Sequence, residues 1–200
     1  EDSLVSSIDF GPTVLNLAGV AVPKHMQGRP FLGPHLAPKP EYVYGARDRV
    51  DERYDIIRSV RDMRYRYIRN YEPFKPYYQW VSYAERTPTM KELRRLHAAG
   101  ELPQAAERFM ADVKPVEELY DLELDPHEVM NLADHPDYRD TLVRMRRAHT
   151  AWMVETRDTG LLPEADLDQS GRELGNRHAI LHREGGERLA KRLLKVASAA

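Results

Sequence analysis

The 200 residues contain no cysteine, which excludes disulfides, thiolate metal sites and a cysteine nucleophile. Neither sign of charge dominates: 30 Lys and Arg stand against 32 Asp and Glu, for a net charge of −2. No overall field therefore draws the chain toward nucleic acid or an anionic membrane. No apolar run approaches the length of a membrane span, and the opening residues do not read as a signal peptide. Glycine-rich phosphate loops are missing, and none of Ser3, Ser6, Ser7, Ser59, Ser82, Ser170 and Ser198 sits in a Gly-x-Ser-x-Gly setting. A self-contained catalytic apparatus is not there. What is there is 42% hydrophobic residues, enough for one core with an appendage, and 31% charged residues for a solvated surface. The chain opens on Glu1 rather than methionine and stops at Ala200 in mid-pattern, so it reads as a segment of something longer.

The most apolar stretch runs over residues 4–19. Ile8, Val14, Leu15, Leu17 and Ala18 would line a helix face, with Pro12 near its first turn and Gly19 at its end. That face needs a hydrophobic partner larger than the residues after it can supply. Residues 20–40 hold five prolines (Pro23, Pro30, Pro34, Pro38 and Pro40) and form a connector over a surface. A strand is predicted over 41–48, and a hairpin over 55–61 and 64–70 that turns at Asp62 and Met63. In its second arm Tyr65 and Tyr67 share one face, Arg66 and Ile68 the other. A fourth strand is expected over 118–124. Before it come an aromatic-rich loop over 71–83 and short helical patches over 90–99 and 104–112.

The strongest helix signal covers 136–156, where Tyr138, Leu142, Met145, His149, Trp152 and Met153 recur at helical spacing. Pro136 suits its first position and Gly160 is placed to end the run. After Gly185 and Gly186, Leu189, Leu193 and Leu194 begin an amphipathic helix that reads as the first half of a pair. Together these predict an α+β fold: a small antiparallel sheet of about four strands with one long helix across it.

Three features could carry chemistry. The polar run over 45–55 packs Arg47, Arg49 and Arg53 among Asp48, Asp51, Glu52 and Asp55. Arginine forks bind sulfate, phosphate or carboxylate, and carboxylates accept bonds from sugar hydroxyls. The plain alternative is a solvated loop whose charges pair with one another. Next, Asp125-Pro126 opens a turn that Glu128 and Asn131 can tie down, a structural role, with His127 and His135 as local hydrogen-bond partners. Finally, Tyr71, Phe74, Tyr77, Tyr78, Trp80 and Tyr83 cluster with Lys75 and Arg86. They would stack on sugars or nucleotides, or form a small core beneath a long loop. His178 and His182 have one-turn spacing, but no third metal ligand is specified.

Taken together, several motifs resemble the C-terminal part of a sulfatase. VSSIDFGPTVLNLAG (5–19) is similar to the helix that closes that family's large domain, and GRPF (28–31) to the short step after it. IRSVRDMRYRYIRN (57–70) resembles the family's arginine-bearing hairpin, and EELYDLELDPHEVMNLA (117–133) its C-terminal signature. Trp152 with Glu155, Thr156, Arg157 and Asp158 looks most like the heparan N-sulfatase (sulfamidase) branch. The resemblance covers residues 3 to about 167.

It implies the C-terminal subdomain of an alkaline-phosphatase-like α/β fold. The chain then divides into the end of the large domain (1–22), the connector (23–40), the C-terminal subdomain (41–167) and a helical extension, truncated or able to dock a partner (168–200). The family's chemistry uses a formylglycine and a divalent cation, usually calcium. No serine here has the required motif, so both would lie in a missing upstream domain, the chain's first partner. No catalytic residue and no metal ligand is assigned within the chain, and the fragment alone is expected to be inactive. The small domain would form one wall of the substrate cleft. Arg47, Asp48, Arg49, Asp51 and Glu52 then become the expected contacts to a sulfated small molecule or glycan, whose sulfate ester or sulfamate the whole enzyme hydrolyses. A periplasmic or extracellular setting is implied by the family. The other reading is a non-catalytic module that binds acidic sugars or a partner.

Overall fold

Polar side chains supply the hydrogen bonds that bind the first helix to the connector after it. In the computed structural model, which describes residues 3–198, a 3-10 turn (Ser7–Asp9) leads into α1 (Phe10–Leu17). Asp9 accepts from the amides of Ser6 (2.8 Å) and Arg29 (2.7 Å), and Thr13 Oγ1 from that of Phe31 (3.2 Å). Asn16 donates to the carbonyls of Leu32 (2.7 Å) and His35 (3.1 Å). The proline-rich connector has no ladder of its own, so its backbone groups need these partners. Much of the apolar face predicted to pack is turned out: Ile8, Val14 and Leu17 are each more than half exposed. No described element covers them.

Four strands come next: β1 (Val43–Val50), β2 (Arg53–Arg61), β3 (Tyr65–Asn70) and β4 (Glu117–Asp121), antiparallel in the order β1-β2-β3-β4. Pairings Tyr44↔Val60, Val60↔Tyr67 and Tyr67↔Leu119 draw one row across the whole sheet. Residues in such a row share a face. Between β3 and β4 lie α2 (Pro88–Ala99), capped by Thr87 and closed by left-handed Gly100, and the short α3 (Gln104–Phe109).

The long helix α4 (Arg139–Thr156), entered through a 3-10 turn at Pro136–Tyr138, lies on that row. Leu142 and Met145 close the core over Val60, Tyr67 and Leu119, and Trp152 stacks on Tyr44 at 4.9 Å. Each such side chain, fully buried, contributes roughly 1.5–3 kcal/mol. The expected α+β sheet and helix are both in place.

Several boundaries differ from expectation. The polar run is not a loop: β1 extends to Val50 and β2 begins at Arg53, with the turn at Asp51 (φ 52°) and Glu52. β4 stops at Asp121, whose carbonyl takes the amides of Leu124 and Asp125 and bends the chain away. In the turn after it, Asp125 rather than Glu128 holds the backbone, accepting from Val129 and Met130 at 2.7 Å each, while Glu128 pairs with Arg66. Asn131 works across the open side of β4. Its Oδ1 accepts the Leu119 amide (2.9 Å) and its Nδ2 donates to the Glu117 carbonyl (3.0 Å).

α4 ends at left-handed Arg157 (φ 51°), three residues before Gly160. Beyond it the chain is not half of a pair. Helices α5 (Glu164–Leu174), α6 (Ala179–His182) and α7 (Gly186–Ala197) gather Leu167, Ile180, Leu181 and Ala190 into a second apolar cluster, with Leu189 and Leu193 against it. α7 also lies along α4. The leucine stripe is therefore used internally rather than offered to a partner.

Candidate functional site

The β1–β2 hairpin is fastened at its root by one buried arginine. Arg58 is 1% exposed and spends its guanidinium fully. It donates to Asp158 (2.5 and 3.0 Å), to Asp48 (2.9 Å), and to the carbonyls of Arg47 and Ile57 (2.9 Å each). Five donors meet five acceptor contacts, the full capacity of the group. Burial works to lower its pKa, but the two carboxylates outweigh that and hold it raised. Burial likewise works against Asp158, yet Arg58 keeps its carboxyl below the usual range. Gly160 shows how tight the junction is. A Cβ there would stand 1.8 Å from Arg58 Nη2 and 2.7 Å from Asp48 Oδ1, so any other residue would have to displace the guanidinium.

Toward the tip, each expected contact residue has its own place. Asp48 is on Arg58. Arg49 Nε donates to both oxygens of Glu164 in the first turn of α5, at 2.9 and 3.0 Å. Glu52 accepts the Ser82 amide, which pins the 71–87 segment to the hairpin, and Asp51 is exposed at the turn. Arg47 Nε is buried without a hydrogen-bond partner. The charges of the run thus pair with distant elements more than with one another. Sequence reading missed Arg58, Gly160 and Glu164 as its anchors. Arg58 and Asp158 both stand in stretches that resemble a sulfatase, with nothing in either to say that they pair.

The aromatic segment does not close into a small core. Tyr71 packs on His149 and Met153, and Tyr78 on Phe109, while Phe74 (67%), Trp80 (49%) and Tyr83 (75%) stay exposed. The imidazoles of His178 and His182 stack at 3.6 Å, with the His182 Nδ1 facing the His178 carbonyl. Among the described residues no group of three or more His, Cys, Asp or Glu could hold a metal ion.

Behind the rim, His149 is buried against the edge of Tyr67 (5.5 Å) and the face of Tyr71 (6.1 Å), its Nε2 without a partner. Burial first, then the Arg69 and Arg58 charges, push its pKa down to about 4, against the smaller pull of Asp158 and Glu117. The unfolded chain, with its histidine at about 6.5, takes up the proton first. Stability is therefore lost as pH falls from about 6.5 toward 4, by roughly 2 kcal/mol between pH 7 and pH 5. Urea titrations of the wild type and His149→Phe at both pH values check this. The variant should lose that much less of its stability over the interval.

No family model matches the chain. It is 43% identical over 167 residues to an ulvan-active sulfatase of Formosa agariphila, covering 84% of this chain and 28% of that protein. A second ulvan-active sulfatase of the same organism is 32% identical over 159 residues, or 76% of this chain and 29% of that one. The human N-sulphoglucosamine sulphohydrolase is 28% identical over 171 residues, or 78% and 34%. The heparan N-sulfatase branch is thus supported more weakly than the family. This chain spans about 28–34% of the length of these relatives. A solved 2-O GAG sulfatase superposes with a TM-score of 0.53 at 24% identity, over 79% of this chain and 27% of that one. At that identity it bears on the fold alone, and the sheet under one long helix agrees with it. The chain belongs to the sulfatase family, and what it represents is the family's C-terminal region.

Proposed function

We propose that the protein carrying this chain hydrolyses sulfate esters or sulfamates on a sulfated glycan, and that these residues form the sugar-facing wall of its cleft. The 43% identity to an ulvan-active sulfatase over 84% of the chain carries this reading. The name of the human relative points to the same substrate class. Formylglycine and calcium, which the family implies, do not fit the described residues: there is no cysteine, and no cluster could hold an ion. The nucleophile and cation would be supplied by a large domain outside this chain. Residues 1–22 would end that domain, 23–40 link it, 41–167 form the C-terminal subdomain and 168–200 extend it. The uncovered apolar face of α1 supports the first of these assignments. A polymeric glycan substrate favours a periplasmic or extracellular setting.

Within the wall, Arg47 and Arg49 would meet the anionic groups and Asp51 the hydroxyls, while Asp48 and Glu52 hold the rim in shape. Turnover of aryl sulfates and sulfated amino sugars, with calcium present, tests the reading in this chain and in the full reading frame. Activity should appear in the full protein only. Activity in the 200 residues alone would overturn it, and silence in both would leave a module that binds acidic sugars. In the full protein, Arg47→Ala and Arg49→Ala should each raise KM several-fold with little change in melting temperature. The Arg49–Glu164 pair is largely exposed, and such pairs contribute about 0–1 kcal/mol. A matching loss of stability would make these arginines structural.

A further inference from the structure

We propose a second glycan-binding surface where the hairpin tip meets the 71–87 segment: the exposed ring of Trp80 stacks on a sugar, and Arg53 pairs with a sulfate on the same chain. The choice of a sulfated polysaccharide rests on the function proposed above, but the surface itself is argued from this structure. Large aromatic side chains are usually kept from water. Here one segment leaves Phe74, Trp80 and Tyr83 at 67%, 49% and 75% exposure.

That surface is held in shape, not loosely draped. Glu52 accepts the Ser82 amide and Arg53 Nε donates to the Trp80 carbonyl. From the other side, Lys75 Nζ and Gln79 Nε2 both donate to the Tyr54 carbonyl, at 2.9 and 3.2 Å. These ties cross from the segment to the first turn of β2, so a ligand would find the ring already placed. The Arg53 guanidinium carbon lies 5.6 Å from the centre of the Trp80 ring.

Arg53 also has capacity left. Its Nε is spent on a carbonyl, but its Nη groups make no hydrogen bond and no carboxylate lies within ion-pair distance among the described residues. Lys75, by contrast, is paired with Glu72. The unspent Nη donors of a guanidinium suit a sulfate half-ester. A pyranose offers an apolar C–H face for the indole and, when sulfated, the anion beside it. One residue pair thus reads both halves of one sugar.

Affinity electrophoresis of the full-length protein in gels containing dextran sulfate, neutral dextran or poly(dT) tests this. The wild type should be retarded most by dextran sulfate. Trp80→Ala should weaken that binding at least tenfold, Trp80→Phe much less, and Arg53→Gln several-fold with a shallower salt dependence. Melting temperatures should stay put, since Trp80 is half exposed. Unchanged binding by Trp80→Ala, or equal retardation by poly(dT), would overturn the proposal. Aryl sulfate turnover by the wild type is read separately: its absence would count against the sulfatase reading, and a wild type not retarded by dextran sulfate beside intact turnover against this surface alone.

Discussion

Replacing Lys114 with methionine is expected to lower the unfolding free energy by about 3–5 kcal/mol. Its Nζ lies 2.5 Å from Asp55 Oδ2, and both side chains are wholly shielded from water. Lys114 also donates its amide to the Pro73 carbonyl at 2.8 Å, so it clips the chain before β4 onto the face of β2 turned away from α4. Asp55 sits where the ladder slips: Arg47↔Ile57 is followed by Arg49↔Tyr54, leaving β2 one residue longer than β1. A carboxylate stranded there has neither cation nor water. The pair itself adds little, because desolvation cancels most of its attraction. The double variant Asp55→Leu, Lys114→Met should therefore recover most of the loss. Urea denaturation of the three proteins decides the matter, and a loss under about 1 kcal/mol in the single variant would mean that water reaches the site.

Arg58→Met should cost a similar amount and, unlike the first substitution, also reach the proposed cleft. It removes the cation shared by Asp48 and Asp158 and frees the hairpin from the end of α4. Asp158 would then be a buried carboxylate without its partner, at about 3–5 kcal/mol. In the full-length enzyme, KM for a sulfated sugar should rise about tenfold or more as the rim loses its anchor. Arg58→Lys keeps the charge but cannot serve five acceptors from one ammonium, so it should restore stability more than KM. If KM and stability recovered together, Arg58 would be holding the fold and nothing further.

Parts of this architecture announce themselves locally. Alternation in Tyr65–Asn70 and the helical spacing of Leu142, Met145, His149 and Met153 each report a buried face within a few residues. The β1–β2 hairpin does not, because Arg47, Asp48 and Arg49 look solvated until Arg58, Asp158 and Glu164 are brought to them. Asp158 lies 100 residues from Arg58, and nothing in either neighbourhood names the other. The first helix misleads for a different reason. Its apolar residues signal a partner, but within the described chain the buried residues of this segment are Asp9, Pro12, Thr13 and Asn16. In the last helices the leucines are visible and their partners are not, since Leu167 and Leu181 come from short elements with little periodicity to show.

The side-chain amide of Asn131 has a consequence for how copies of the protein meet. β4 is the last strand of the sheet, and an open last strand invites another chain to add itself as the next one. By taking the Leu119 amide and giving to the Glu117 carbonyl, Asn131 occupies the hydrogen-bonding positions such an intruder would use. The Leu132 amide fills the next, at the Leu119 carbonyl. One turn residue thus stands in for a fifth strand, and at this edge the sheet stops growing within its own molecule.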